Sequence, residues 1–425
     1  MVAISVVAPR WYSPDSAVRP RAQGYAGTST NTGTLSPAWA SGVGTAWSIP
    51  SSPEEGNRGT PSVLIEGTTM YVATVNAHGY LRVSAYDVSS AQPSETWVSD
   101  GQNIELHNTF NTPPIVSTGD SLAVGSIVLS KETGFQLKAP WDDDTAMAFG
   151  DGVLVTCSGY ETCSGWTAQS GSWTRIWKSI TTKQRRNDDT LKKNRSGIVG
   201  SGDEASFLVP VDTAVNPQLV NVHTGEVLTL GQEGRLEIDA SVRDLHMVAD
   251  GVMLERAHGQ VELYDASGTL TKISRATEQP WMPTADGRLP TLAELTTFFT
   301  DGKATWTTGR VTIEGKDCST FTLAPTADLP PRSASGVTGL SSHYSRALNA
   351  CPFRPSELRA SADGSAALVL GREGTVVSGY VLDMSGGRVH RSTTLLQAKG
   401  LAWAFDDLLI LTTEQGIVAL TPASS

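Results

Sequence analysis

The chain has 425 residues, 39% hydrophobic and 18% charged, with 41 Gly, 22 Pro and a formal net charge of −11. This is a globular, turn-rich composition, and its size admits either two or three ordinary domains or one closed repeat ring. The acidic balance favours solubility and argues against a nucleic-acid partner, which calls for a basic face.

At the N-terminus, Val2-Ala3-Ile4-Ser5-Val6-Val7-Ala8 is an apolar run stopped by Pro9-Arg10-Trp11-Tyr12. Crossing a bilayer takes about 20 apolar residues, so this run cannot do so alone. It reads equally as the outer end of a transmembrane helix with an aromatic pair at the interface, or as a strand or cloning scar. From Trp11 to about Ser36 the chain is rich in Ser, Thr, Gly, Pro and Arg without apolar periodicity. Residues 1–36 are therefore expected to be an arm or juxtamembrane linker, and 37–425 one domain.

Along that domain an apolar run repeatedly breaks at an Asp-containing turn and resumes. The turns are Gly119-Asp120, Asp151-Gly152, Gly202-Asp203, Asp250-Gly251, Asp301-Gly302, Asp363-Gly364 and Asp406-Asp407, with Glu66-Gly67 a looser case. Gly tolerates positive φ and Asp bonds its own backbone, so each reads as a β-hairpin. A second element follows most hairpins: an apolar strand, a polar turn usually ending in Ser/Thr-Gly, and a further strand often carrying Trp or Leu. Examples run from Ala85-Tyr86-Asp87 to Trp97, from Thr133-Gly134 to Trp141, from Ser170-Gly171 to Trp177 and from Thr224-Gly225 to Leu228. Ser267-Gly268 and Ser385-Gly386 continue the series. Two hairpins in succession make a four-stranded antiparallel unit whose faces only its neighbours can cover, which is the logic of an all-β propeller blade.

The motif of an apolar hairpin, a strand, Asp-x-x-Thr/Ser-Gly and a strand ending in Trp resembles the pyrroloquinoline-quinone-like (PQQ-like) propeller repeat. The resemblance runs from about Trp39 to Pro422. It implies a closed propeller of the kind found in quinoprotein dehydrogenases and in the lipoprotein propeller that assists outer-membrane assembly. Hairpin counting favours eight blades, with seven allowed because Trp281 to Pro330 is least regular. The last unit, Leu401 to Leu420, has three strands only, whereas Trp39 to Ile49 reads as a strand without a blade. Donating that strand to the last unit would pair both exposed edges and lock the ring.

Cys157, Cys163, Cys318 and Cys351 allow three pairings. Local pairing, Cys157 with Cys163 and Cys318 with Cys351, is expected, and it places the chain outside the cytoplasm. No closely spaced cysteine or histidine ligands suggest zinc. Gly119-Asp120-Ser121-Leu122 spells an esterase signature, but it falls in a hairpin and no Asp-x-x-His follows. No other catalytic or nucleotide-binding motif occurs. Asp142-Asp143-Asp144 lacks the alternating spacing of a calcium loop, and the seven histidines are scattered.

Two features exceed what a blade needs. One is the charged stretch holding Lys183, Arg185, Arg186, Lys192, Lys193 and Arg195; the other is the segment with Trp166 and Trp173. Together they are the expected contact loop for a protein or an anionic envelope polymer. The leading reading is a non-catalytic, secreted or membrane-anchored bacterial propeller that binds or scaffolds at the cell envelope, without a cofactor. Quinone-dependent dehydrogenases resembling this repeat carry adjacent cysteines and a calcium set, and this chain has no adjacent cysteines. A glycan-binding or glycan-cleaving propeller is the other alternative.

Overall fold

The computed structural model describes residues 23–50, 59–76, 78–99, 112–142, 144–158, 162–169, 172–181, 197–209, 217–231, 242–256, 259–275, 288–301, 306–313, 316–323, 332–335, 354–373, 376–392, 394–395 and 398–423. A 3-10 turn, Pro37–Ser41, precedes β1 (Val43–Pro50). Blade 1 is β2 (Ser62–Glu66), β3 (Thr69–Val75), β4 (Leu81–Asp87) and β5 (Ser94–Val98). Blade 2 is β6 (Ile115–Ser117), β7 (Ser121–Val124), β8 (Ile127–Ser130) and β9 (Gln136–Lys138). Blade 3 is β10 (Thr145–Gly150), β11 (Val153–Cys157), β12 (Thr162–Gln169) and β13 (Ser172–Ile180). Blade 4 is β14 (Gly197–Val199), β15 (Ser206–Val209), β16 (Gln218–Asn221) and β17 (Val227–Thr229). Blade 5 is β18 (Val242–Val248), β19 (Gly251–Arg256), β20 (Gln260–Asp265) and β21 (Leu270–Arg275).

Helix α1 (Leu292–Asp301) and a three-stranded sheet, β22 (Trp306–Ile313), β23 (Lys316–Leu323) and β24 (Arg332–Ser335), come next. Blade 6 is β25 (Arg354–Ala360), β26 (Ala366–Glu373), β27 (Val376–Asp383) and β28 (Arg388–Arg391). Blade 7 is β29 (Gly400–Phe405), β30 (Leu408–Thr413) and β31 (Gly416–Pro422), completed by β1. The molecule is a seven-bladed β-propeller of four-stranded antiparallel sheets.

The preferred count of eight thus gives way to the allowed seven, and α1 shows why. Leu292, Leu295 and Phe299 cover the face formed by Val248, Met253, Val261 and Leu263, the surface that a following blade would otherwise bury. Asp301, read as a hairpin turn, ends this helix instead. The helix starts at a capping box: the Glu294 N–H reaches the Thr291 hydroxyl at 3.3 Å, and the Thr291 N–H reaches the Glu294 carboxylate at 2.8 Å. The Arg288 guanidinium beside Glu294 and the Thr291 N–H hold that carboxyl at about 2.

The cores lie between blades. Separate clusters join blades 7 and 1, 1 and 2, 2 and 3, 3 and 4, 4 and 5, and 6 and 7. Outer-strand side chains fasten neighbours. Trp97 of β5 donates its indole N–H to the Lys131 carbonyl of blade 2 at 2.8 Å, and Trp177 of β13 donates to the Val222 carbonyl of blade 4 at 2.6 Å. Each indole lies on a glycine, Gly134 or Gly225, where a Cβ would meet the ring system below 3 Å. Trp141, expected at an equivalent strand end, is different. It lies beyond β9 and donates to Gly125 of its own blade at 2.9 Å.

The expected ring closure is present: β1 pairs antiparallel with β31 from Val43↔Pro422 to Pro50↔Gly416. The arm ahead of it is also packed. Residues 23–36 pass around the turn that joins β29 and β30. Tyr25 stacks on Phe405 and donates its hydroxyl to Asp407, while Thr32 gives its N–H and hydroxyl to Asp406. Arg359 of blade 6 lies 4.3 Å over the Trp403 ring and reaches Asp406 and the Thr34 carbonyl.

Cys157 and Cys163 form the expected disulfide, with Cα atoms 4.1 Å apart. They are direct cross-strand partners in β11 and β12, so the bond ties a blade hairpin rather than an excursion from it. Cys318 lies on β23, and its pairing with Cys351 falls outside the described residues. In blade 5, Arg256 pairs with Glu262 at 2.8 Å, and the carboxylate also accepts from Tyr264 and Gln260. Arg256, Glu262 and Tyr264 are all buried. Burial pushes the Glu262 carboxyl up, but the bonds from Arg256, Tyr264 and Gln260 outweigh it and leave the group below its ordinary value.

Three outcomes follow from this packing. Removing residues through Gly42 takes away the buried Tyr25, Leu35 and Trp39 and should cost about 3–5 kcal/mol, and removal through Pro50 should abolish the cooperative melt. Equal melting temperatures for the two truncations would refute closure by β1. Arg256→Met should cost about 3–5 kcal/mol, with Arg256→Met/Glu262→Leu recovering most of it. Because the folded Glu262 pKa is depressed, its contribution is full above the ordinary carboxylate range and fades as pH falls below about 4. Urea midpoints at neutral and acid pH check this: the unaltered chain should lose more stability on acidification than Arg256→Met does, because the Glu262 left buried without its arginine gains from protonation. Finally, thiol titration of unfolded, unreduced protein should find none if both disulfides form and two if only Cys157–Cys163 does.

Candidate interaction surface

In an up-and-down blade, successive connections alternate between two faces of the ring. The first and third turns of every blade therefore share one face, which carries the Asp turns. The middle turns and the blade-to-blade loops share the other. The charged stretch 182–196 connects β13 to β14 in sequence. Lys183, Arg185, Arg186, Lys192, Lys193 and Arg195 lie outside the described residues.

The two tryptophans of the expected contact segment are placed differently from expectation. Trp166 lies within β12, is 7% exposed, and donates its indole N–H to the Thr156 hydroxyl at 2.9 Å. Trp173 is the second residue of β13 and is half-buried. Both pack on Trp141, at 5.8 Å from its ring in each case. They are blade residues rather than an excursion, and they close the wedge between blades 2 and 3. An indole on the inner side of a cross-strand pair has nowhere to go but the neighbouring blade, which corrects the reading of Trp166 as an exposed contact.

What those tryptophans floor is a groove, and register assigns its walls. Cross-strand partners share a face, so Arg175 stands with Trp166 and Lys178 with Ser164, both on the side of β12–β13 that looks toward blade 2. Ile180, opposite Thr162, joins them. On blade 2, Leu137 is opposite Val128, whose side chain belongs to the blade 2–blade 3 cluster, and Phe135 lies two residues earlier on the same face. Phe135 is 67% exposed, Leu137 55% and Ile180 79%. These large apolar side chains lie on the faces that blades 2 and 3 turn toward each other, and they remain in water.

Two cations, Arg175 and Lys178, share this face. The Arg175 guanidinium lies 5.8 Å over the Trp166 ring. Neither Arg175 nor Lys178 makes an ion pair within 4 Å among the described residues. Both act on Asp144, whose carboxyl burial holds above its ordinary value against the opposing pull of Lys178, the Thr156 hydroxyl and Arg175. From Arg175 to Arg195 the sequence carries eight cations against two acids, in a chain whose net charge is −11.

The remaining sequence candidates scatter. Ser121 opens β7 at a hairpin in which the Thr118 N–H bonds the Ser121 carbonyl, and no imidazole bonds its hydroxyl among the described residues. Asp142 pairs with Lys138 at 3.5 Å while Asp144 turns to Thr156, and Asp143 lies outside the described residues. Among the described residues no three His, Cys, Asp or Glu side chains gather as a metal site, and no helix is long and apolar enough to cross a membrane. Sequence reading passed over Phe135, Leu137, Arg175, Lys178 and Ile180. The length of the apolar-basic run from Trp173 to Ile180, beyond the few residues an outer strand needs, was the available signal.

No family model matches the chain, and no curated protein does. Among solved structures it is similar to BamB from Moraxella catarrhalis, at 14% identity and a TM-score of 0.45, over 89% of this chain and 99% of that one. It is similar to Sqt1 from Saccharomyces cerevisiae at 10% identity and a TM-score of 0.47, over 89% and 98%. YCF48, solved bound to a D1 peptide, aligns at 8% identity and a TM-score of 0.43, over 89% and 97%. Likenesses this distant say nothing of what the present chain binds.

Proposed function

We propose that this chain is a non-catalytic propeller of the PQQ-like kind that works outside the cytoplasm, at the bacterial cell envelope, as a binding or scaffolding module. The observation that carries the reading is the groove between the outer strands of blades 2 and 3. Phe135, Leu137 and Ile180 remain exposed there beside Arg175 and Lys178, although neither solubility nor blade packing requires them. The partner is a protein or an anionic envelope polymer, met by this groove and by the cationic loop from Lys183 to Arg195. The Cys157–Cys163 disulfide supports an oxidising compartment, and the apolar run Val2–Ala8 fits a tether to the membrane. Neither pyrroloquinoline quinone nor calcium has a part in this reading, since the chain lacks the adjacent cysteines of the quinone enzymes that its repeat resembles.

Pull-down from envelope extract tests it. The intact chain should recover a partner. Replacing Lys183–Arg195 with a short Gly/Ser turn, or changing Leu137 and Ile180 to Ser, should reduce that recovery several-fold. Undiminished recovery with both variants would remove this surface from consideration. Dye-linked oxidation of alcohols or sugars after addition of quinone and calcium would overturn the non-enzymatic reading.

A further inference from the structure

The backbone of β13 supports a more specific reading, which rests on the binding role just proposed. The Ser158 N–H bonds the Thr162 carbonyl, and this sets the alternation along β12. Thr162, Ser164 and Trp166 turn their backbone groups to β11, while Cys163 and Gly165 turn theirs to β13. Ser179 and Trp177, opposite Cys163 and Gly165, therefore face inward. The N–H and C=O groups of Lys178 and Ile180 point out of the sheet. After the one-residue shift between Gly165 and Trp166, those of Trp173 and Arg175 do so too.

This is the longest outer edge among the described blades. β13 has nine residues, against eight in β1, which closes blade 7 and carries no charge, and five, three, three, six and four in the outer strands β5, β9, β17, β21 and β28. At about 3.4 Å per residue it offers a template of roughly 30 Å. It carries two cations and no acid. Native edges are ordinarily kept short or guarded because an open row of donors and acceptors recruits another strand.

We propose that β13 is a docking edge for one extended, acidic segment of a protein partner, added antiparallel or parallel as a fifth strand of blade 3. Its backbone would pair with the outward groups of Trp173, Arg175, Lys178 and Ile180. Alternate side chains would face the groove, apolar ones against Phe135, Leu137 and Ile180, acidic ones against Arg175 and Lys178. Main-chain bonds supply affinity in such an arrangement, and the pockets for alternate side chains supply selectivity. The charge complementarity selects an acidic strand; the open ladder selects a polypeptide over a polyanion.

Fluorescence anisotropy with the intact chain tests this, using a labelled decapeptide with Thr at every second position and Val and Glu taking turns at the positions between, so that one face of the strand carries both. Three further probes are its Val/Lys counterpart, a version N-methylated at every residue so that neither edge can pair, and polyphosphate. Two variants separate charge from backbone. Lys178→Gln removes the cation and keeps the outward N–H. Lys178→Pro removes both, and an outward N–H on an edge strand is the place where proline leaves the internal ladder intact. Binding of the Val/Glu peptide should fall about fivefold or more on N-methylation, and again between Lys178→Gln and Lys178→Pro. The Val/Lys peptide should not bind.

Equal binding of the parent and N-methylated peptides, or of the two variants, would overturn strand addition. Displacement of the peptide by polyphosphate with no dependence on N-methylation would do the same and assign the groove to a polyanion. A dimer in sedimentation that Lys178→Pro dissolves would assign the edge to a second copy. The broader reading is read separately: if Lys178→Pro recovers the envelope partner as well as the unaltered chain does, the edge is not the dock although the module still binds. If the unaltered chain recovers nothing, the binding role itself fails.

Discussion

The ladder between β1 and β31 is the constraint on which the molecule depends. A propeller blade has two apolar faces and buries them only against neighbours, so a ring with a gap leaves a core open to water. Here the two ends of the ring belong to residues as far apart in sequence as Val43 and Pro422. Their closure costs chain entropy that grows only slowly with loop length, and the return is the burial of a full blade face. The arm adds a second fastening. It passes around the tip of the β29–β30 hairpin and places Leu35 and Trp39 in the cluster between blades 6 and 7. Tyr25 goes into the cluster between blades 7 and 1. One stretch of chain thus seals both sides of the last blade.

The acidic turns serve the same end. Read alone, Asp in a hairpin turn caps its own backbone, and Asp363 does so with Ser361 and Ser365. Elsewhere the carboxylate reaches the next element. Asp151 accepts from the Gly202 N–H of blade 4 at 2.6 Å, and Asp250 from the Leu292 N–H that opens α1 at 2.8 Å. Glu66 pairs with Lys131 of blade 2 at 2.6 Å, and Asp406 and Asp407 hold the arm. The repeated acid is a fastener between units as much as a turn residue. This face of the ring is therefore occupied with its own bonding, in keeping with a contact surface placed elsewhere.

The hairpin repeat was legible because its period, its turn residues and its missing last strand are all local patterns. α1 was equally written in the chain, as Thr291-Leu292-Ala293-Glu294 followed by Leu295, Phe298 and Phe299, but the expectation of another hairpin at Asp301 overrode the capping box. The disulfide was legible from spacing, although its place across a β-hairpin depended on register. The groove was not legible. Trp166 and Trp173 drew attention as large aromatics, yet an indole on one face of a blade is buried while a neighbour on the other wall stays in water. That assignment turns on a single bulge between Gly165 and Trp166, and it puts Arg175 and Lys178 on the same side.

The bulge also bears on why a long open edge is tolerated. Edge strands that stay flat and apolar aggregate, and charges and local twist are the usual safeguards. β13 has both: Arg175 and Lys178 lie along it, and Ile176 is the extra residue at the bulge. Such features discourage pairing with a copy of the same strand, because two cationic edges would face each other. They leave pairing with an acidic strand unopposed. A guard that rejects one partner and admits another is a specificity device, and it is placed on the blade that the Cys157–Cys163 bond and three packed indoles make rigid.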